Sequence, residues 1–208
     1  MPDHSSIEPS TVIEAARVAQ AALRPGIDRD WGTTATGLEW DCRATLDHMV
    51  NAPLFHGTNL TMRSTKRLAG IRAGNPSAAI PELIDQLEYA ATILAQIATL
   101  APAEARGFHP AGMADAQGFI ALSCNEMLLH AHDIASALGL PFEPPAELSS
   151  LVLGRLFPWA PAGAAPWPTL LYVSARGLLP GREPVPPDWM SHPAPLAEWD
   201  GKTIPRRG

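Results

Sequence analysis

The stretch ADAQGFIALSCNEMLLHAHDIASALGLP, residues 114–141, carries the clearest helical pattern in the chain. Its apolar residues recur three or four positions apart, which is the spacing of one face of an α-helix. Gly139 followed by Pro141 is the usual ending of a helix. The stretch therefore predicts a long helix over about 114–138 whose apolar face belongs to a protein core.

Three ionisable residues interrupt this apolar face, namely Glu126, His130 and Asp133. Their spacing of three and four places them on the same side of the helix. A buried ionisable group must be paired, hydrogen-bonded or bound to a metal, because bare burial costs about several kcal/mol. His132 lies about 200 degrees around the helix from His130, so it is expected to point elsewhere.

Three further segments upstream show the same helical periodicity and predict helices near 10–24, 42–68 and 77–100. Asp41 can cap the second of them through its side chain. Four helices of similar length joined by modest loops favour an all-α fold, a four-helix bundle formed by residues 1–141.

The remaining residues, 142–208, differ in composition. Of the 22 prolines, 14 lie between 141 and 208, together with Trp159, Trp167, Trp189 and Trp199. Two short helices and then an extended segment are expected, with the tryptophans docked on the rest of the protein. We therefore predict a short Pro/Trp-rich C-terminal extension packed on the bundle.

The amino-acid composition indicates which class of partner the protein can bind and where in the cell it is expected. Lys and Arg number 15 against 21 Asp and Glu, a net charge of -6, and the basic residues are scattered, which argues against a nucleic-acid partner. Neither a secretory signal nor an apolar run of about 18 residues is found, so a cytoplasmic protein without a membrane span is expected. Cys42 and Cys124 form no CxxC pair and are expected to be buried thiols.

Glu126 and His130 are four residues apart, so both side chains can reach one metal ion over a single helical turn. In the second helix, His48 occupies a position on the apolar stripe and offers a third ligand. Two nitrogens and one oxygen leave a coordination position open, as catalytic zinc sites do. An ion pair between Glu126 and His130 would satisfy the same two residues, so the residues alone leave a purely structural role open.

Three segments, TGLEWDCRATLDHMV, FHPAGMADAQGF and NEMLLHAHDIASALGLP, resemble the mycothiol-dependent maleylpyruvate isomerase-like branch of the DinB-like metal-binding four-helix bundle superfamily. The similarity runs from about residue 31 to residue 141. It implies an antiparallel bundle with a metal held at one end of the core by His48, Glu126 and His130. Trp40 leads into the first ligand helix, and Asp133 completes an HxxD motif. From that position Asp133 can orient a ligand or close the helix end, and a purely structural hydrogen bond of Asp133 stays open. Zinc with water in the open position is implied, and nickel could occupy the same ligands.

The resemblance also implies a function. We expect a metal-dependent transferase or isomerase that uses a low-molecular-weight thiol such as mycothiol and acts on a small electrophilic substrate. The isomerases of this family carry a C-terminal domain that helps to bind thiol and substrate, and residues 142–208 are short and Pro-rich for that role. The alternative is a non-catalytic metal-binding or stress-associated DinB-like bundle, acting through homodimer contacts of its apolar helices.

Other polar residues receive weaker assignments from the sequence. His109 is expected to pack its loop rather than to line a pocket. No partner can be named from the sequence for the histidines His4, His56 and His192. No carboxylate-binding role is assigned to the arginines Arg155, Arg176 and Arg182.

Overall fold

The computed structural model describes residues 7–69, 74–186 and 188–201. Within these ranges the chain forms six α-helices and two short 3₁₀ helices, and no β-strand. The prediction of an all-α fold is confirmed for this part of the chain, whereas His4 lies outside it. None of the described helices combines the length and apolar character that a membrane crossing requires.

The helices follow one another along the chain as α1 Thr11–Leu23, α2 Cys42–Met62, α3 Ile80–Leu100, α4 Ala116–Leu138, α5 Ala146–Leu156 and α6 Pro166–Val173. Helices α1 and α2 each pack against both α3 and α4, while α5 packs against α4 and α6 against α5. All six helices contribute buried residues to a single hydrophobic core. The C-terminal helices therefore share their core with the first four.

Side-chain caps fix where α2 and α4 begin. Asp41 accepts a 2.6 Å hydrogen bond from the backbone N–H of Ala44, and Asp115 accepts one of 2.7 Å from Gly118. Each carboxylate satisfies an N–H group that the first helical turn leaves without a partner. At the other end of α4, Gly139 adopts the left-handed conformation with φ 67°. The two helices that carry the predicted metal ligands are thus defined by local chemistry.

Helix α2 ends at Met62, so the predicted extension to residue 68 is wrong. Arg63 turns into the left-handed region at φ 46°, where its N–H bonds to the carbonyls of Asn59 and Leu60. The Ser64 hydroxyl then donates to the Lys66 carbonyl. Such local bonds between a serine side chain and the backbone compete with helix continuation.

Helices α3 and α4 begin slightly later than the predicted residues 77 and 114. Before α3, the N–H of Ala78 bonds to both the backbone and the side-chain oxygen of Asn75, which forms a turn. Before α4, Ala114 and Gly107 exchange two backbone hydrogen bonds of 2.9 Å. These bonds hold the residues concerned outside the helices.

The C-terminal segment packs with its aromatic residues against the core. Trp167 of α6 is buried. Trp159 and Trp189 lie against Phe157, with ring centroids 5.4 and 5.7 Å away. After α6 the chain has no α-helix in residues 174–186 and 188–201, and it forms one short 3₁₀ helix at Leu196–Glu198.

Candidate metal centre

Helices α2 and α4 bring together the three residues that the sequence predicts as metal ligands. Glu126 Oε2 lies 2.9 Å from His48 Nε2 and 3.0 Å from His130 Nε2. The two imidazole rings stand nearly perpendicular, with centroids 5.2 Å apart. The exposed fractions of the side chains are 33% for His48, 26% for Glu126 and 12% for His130, so a small molecule can reach the group from solvent.

In the absence of an ion, the charges of these residues satisfy one another. Burial alone would favour neutral groups, but hydrogen bonds to Asp133 and Glu126 outweigh it and raise the pKa of His130 to about 9. Burial likewise acts to raise the pKa of Glu126, yet bonds from His130 and His48 hold it well below its usual value. The metal-free site therefore contains a carboxylate and an imidazolium.

The same three atoms suit a divalent ion. They all lie within 4.8 Å of one another. In a tetrahedral zinc site with bonds of about 2.0 to 2.2 Å, neighbouring ligand atoms are about 3.3 to 3.6 Å apart. To reach this geometry the Glu126 contacts of 2.9 and 3.0 Å must widen by a few tenths of an ångström. The ligand atoms of His48 and His130, which lie within 4.8 Å of each other, must take the same tetrahedral separation. The proton between His130 and Glu126 must leave when the ion binds.

Asp133 and Arg176 fix the orientation of His130. Asp133 is only 2% exposed and lies 3.0 Å from His130 Nδ1 through its Oδ2 atom. Arg176, which follows α6, donates from Nε and Nη2 to the Asp133 carboxylate at 2.9 and 2.8 Å. Because Nδ1 is engaged by Asp133, Nε2 of His130 is directed at Glu126 and the candidate ion. Arg176 is thus a residue of the site that was not predicted from the sequence.

Arg176→Gln should weaken zinc binding by about 10- to 100-fold, the usual cost of removing a residue that orients a metal ligand. The substitution frees Asp133 to rotate, so the His130 ring loses its fixed orientation. Competition with a zinc-binding dye measures the affinity. Arg182→Gln is the matched control, since Arg182 is exposed. Equal zinc affinities for the two variants would contradict the role of Arg176.

The metal-free protein should lose stability as the pH rises. The folded-state pKa of His130, about 9, lies above the ordinary value of about 6.5. The stability that this group contributes is complete below about pH 6.5 and is lost as the pH rises through about 9, a loss on the order of 3 kcal/mol.

Urea unfolding in the presence of a chelator, compared with His130→Gln, isolates this contribution. The difference in unfolding free energy between the two proteins should shrink from pH 6.5 to 9. Zinc binding should follow the opposite trend, because protons and zinc compete for Nε2. A stability difference that stays constant over this range would contradict the ion-pair geometry.

The remaining histidines lie in different surroundings. His132 packs edge-on against Trp167 at 5.5 Å, on the side of α4 that faces α6. His192 Nε2 lies 3.2 Å from the Pro195 carbonyl in the C-terminal segment. His56 and His109 lie close to each other, with ring centroids 5.7 Å apart. No partner for His56 was predicted from the sequence, although its position two turns after His48 on α2 was a usable signal.

Neither cysteine offers a reactive thiol. Cys42 and Cys124 are buried and free, as predicted. Burial raises the pKa of the Cys42 thiol to about 11 and that of Cys124 further still. Both therefore stay protonated at neutral pH.

No protein-family model, curated protein or solved structure matches the chain.

Proposed function

We propose that the chain is a metal-dependent enzyme that uses a low-molecular-weight thiol such as mycothiol. The enzyme either transfers this thiol to a small electrophile or isomerises the electrophile with the thiol as cofactor. The observation that carries the proposal is the convergence of His48, Glu126 and His130 from two helices, with all three ligand atoms within 4.8 Å. Two nitrogens and one oxygen leave a position open for a ligand, which is the arrangement of catalytic rather than structural zinc sites.

The fold that we propose for this function is an antiparallel DinB-like bundle of α1 to α4, covering residues 1–141, with residues 142–208 packed on it. The packing of α1 and α2 against both α3 and α4 supports the proposal. His48, His109 and Glu126 come from one each of the three segments that carry the family resemblance. Glu126 lies 2.9 Å from His48, and its charge acts on the pKa of His109.

Each residue has a definite task in the proposed chemistry. His48, Glu126 and His130 would hold the divalent ion, zinc or alternatively nickel, and Asp133 would keep His130 in the required orientation. A bound cation favours the thiolate of the small molecule over the thiol, and the thiolate is the nucleophile. Trp40 is 50% exposed and has its ring 5.2 Å from that of His48, so it lies on the solvent side of this ligand.

Cobalt substitution tests the proposal without relying on turnover. Millimolar mycothiol or a comparable thiol should produce sulfur-to-metal charge-transfer absorption in the cobalt protein, because sulfur occupies the open coordination position. Conjugation of the thiol to an electrophile should depend on the metal in the same preparation. Glu126→Ala should abolish both effects, since two histidines hold the ion poorly.

An unchanged cobalt spectrum at millimolar thiol would overturn the enzyme proposal. If the ion is nevertheless bound, the non-catalytic metal-binding or stress-associated bundle becomes the better account. Three exposed apolar residues of α3, Tyr89, Ile93 and Leu100, are the surface on which the predicted homodimer would rest. Both the homodimer and the cytoplasmic location stay predictions.

A further inference from the structure

A second cluster of polar side chains lies inside the protein beside the candidate metal centre. His56 of α2 is 3% exposed, and its Nδ1 lies 2.7 Å from the hydroxyl of the fully buried Ser123 on α4. His109, from the loop before α4, has its ring 5.7 Å from that of His56. Phe119 flanks His56, with ring centroids 5.4 Å apart. The three polar residues of this cluster, His56, Ser123 and His109, take no part in holding the ion.

A backbone hydrogen bond fixes the tautomer of neutral His109, and the tautomer of His56 depends on the direction of its bond to Ser123. His109 Nδ1 accepts the backbone N–H of Ala111 at 3.2 Å, so in the neutral ring the proton is on Nε2. When the Ser123 hydroxyl donates to His56 Nδ1, the proton of His56 is likewise on Nε2. Both rings then present an Nε2–H donor.

Both imidazoles are neutral at physiological pH. Burial, followed by the charge of His109, lowers the pKa of His56 to about 3. Burial also lowers the pKa of His109 to about 4, with a further contribution from Arg67. A neutral imidazole can donate a hydrogen bond without adding a charge that would compete with the metal ion.

The cluster lies within electrostatic range of the metal ligands. The negative charge of Glu126 acts on the pKa of both His56 and His109, and the charge of His48 acts on that of His56. On the outer side, Arg67 stacks over the Phe55 ring at 5.6 Å. An oxygen atom held by His56 and His109 would thus lie within electrostatic range of the metal centre, and Arg67 would favour a negative charge on it.

We propose that His56 and His109 form a binding site for a carbonyl or carboxylate oxygen of the electrophilic substrate. The inference rests on the proposed function, and it specifies the substrate class as small molecules that carry such an oxygen. Paired neutral N–H donors in a buried site stabilise negative charge on oxygen more strongly than donors in water do. Ser123 acts as a positioning residue, because its hydroxyl is hydrogen-bonded to Nδ1 of His56 and holds the ring in place.

Acetate is a suitable probe, and two-bond ¹H–¹⁵N spectra of histidine-labelled, zinc-loaded protein provide the readout. His56 and His109 should both appear as neutral rings protonated on Nε2. Acetate should shift their Nε2–H signals, which His56→Phe and His109→Phe identify. Each substitution should weaken acetate binding about tenfold, the effect of losing one hydrogen bond to a charged oxygen. His132→Phe is the matched control and should bind acetate like the unmodified protein.

Acetate bound at the zinc with no response from His56 and His109 would overturn the inference, as would unchanged affinity in His109→Phe. That variant changes a loop residue, so it remains informative if His56→Phe unfolds. Zinc content measured on the same sample separates this result from a failure of the proposed function. If no zinc is bound, the proposed function fails, yet the histidine signals still report whether the pair binds acetate.

Discussion

Replacing His130 with alanine should abolish the binding of one divalent ion per chain, whereas His132→Ala should retain it. His130 supplies one of three ligand atoms, and its Nε2 lies 3.0 Å from Glu126 Oε2. Its loss leaves His48 and Glu126 as a two-ligand site. The affinity should therefore fall by more than the roughly 100-fold that a missing orienting residue can cost.

Elemental analysis of protein purified without chelator and reloaded with zinc measures this effect. His132 is an apt control because it is on the same helix, two residues away, yet packs against Trp167. Unmodified protein and His132→Ala should each hold about one zinc ion per chain, and His130→Ala should hold none. Equal zinc contents in the two variants would contradict the assignment of the ligands.

Arg155→Ala should destabilise the protein by about 3 to 5 kcal/mol, which is the usual cost of removing one partner of a buried ion pair. Arg155 is 6% exposed and donates to Asp115 Oδ1 at 2.5 Å and to the Pro193 carbonyl at 2.9 Å. The same Asp115 oxygen caps α4 at Gly118. Alanine would leave a carboxylate and a carbonyl without this donor, and would loosen the C-terminal segment from the helix that carries Glu126.

Urea unfolding at neutral pH gives this free energy, and Arg182→Ala provides the comparison. Arg182 is exposed, so its removal should change stability by less than about 0.5 kcal/mol. The double variant Arg155→Met with Asp115→Asn should regain part of the loss, because it leaves no unpaired charge. If Arg155→Ala lowers the free energy of unfolding by less than about 1 kcal/mol, the Arg155–Asp115 ion pair does not hold the C-terminal segment to α4.

The helices and the three candidate ligands could be predicted because both follow from local periodicity. Apolar spacing identified α1 to α4, and the positions of Glu126 and His130 on one helical face required only the 3.6-residue turn. His48 could be placed on the apolar stripe of α2. The end of α2 could not be predicted from the sequence. Residues 63–68 include no Gly or Pro to mark it, and the turn at Arg63 depends on bonds made by Ser64.

The residues around these ligands depend on contacts between distant parts of the chain. Arg176 lies 43 residues after Asp133, and no local pattern indicates that the turn after α6 brings it back to α4. His109 reaches His56 only through the path of the loop before α4. His56 and Ser123 belong to different helices, so their hydrogen bond follows from the packing of α2 on α4.

A crystal structure of the zinc-loaded protein, with anomalous data collected on both sides of the zinc edge, tests the central claim most directly. We predict one anomalous peak per chain, about 2.0 to 2.2 Å from Nε2 of His48, Nε2 of His130 and an oxygen of Glu126. Asp133 should remain hydrogen-bonded to His130 Nδ1. A structure without a peak among these residues, in which Glu126 still contacts both imidazoles directly, would contradict the account and identify the group as an ion pair.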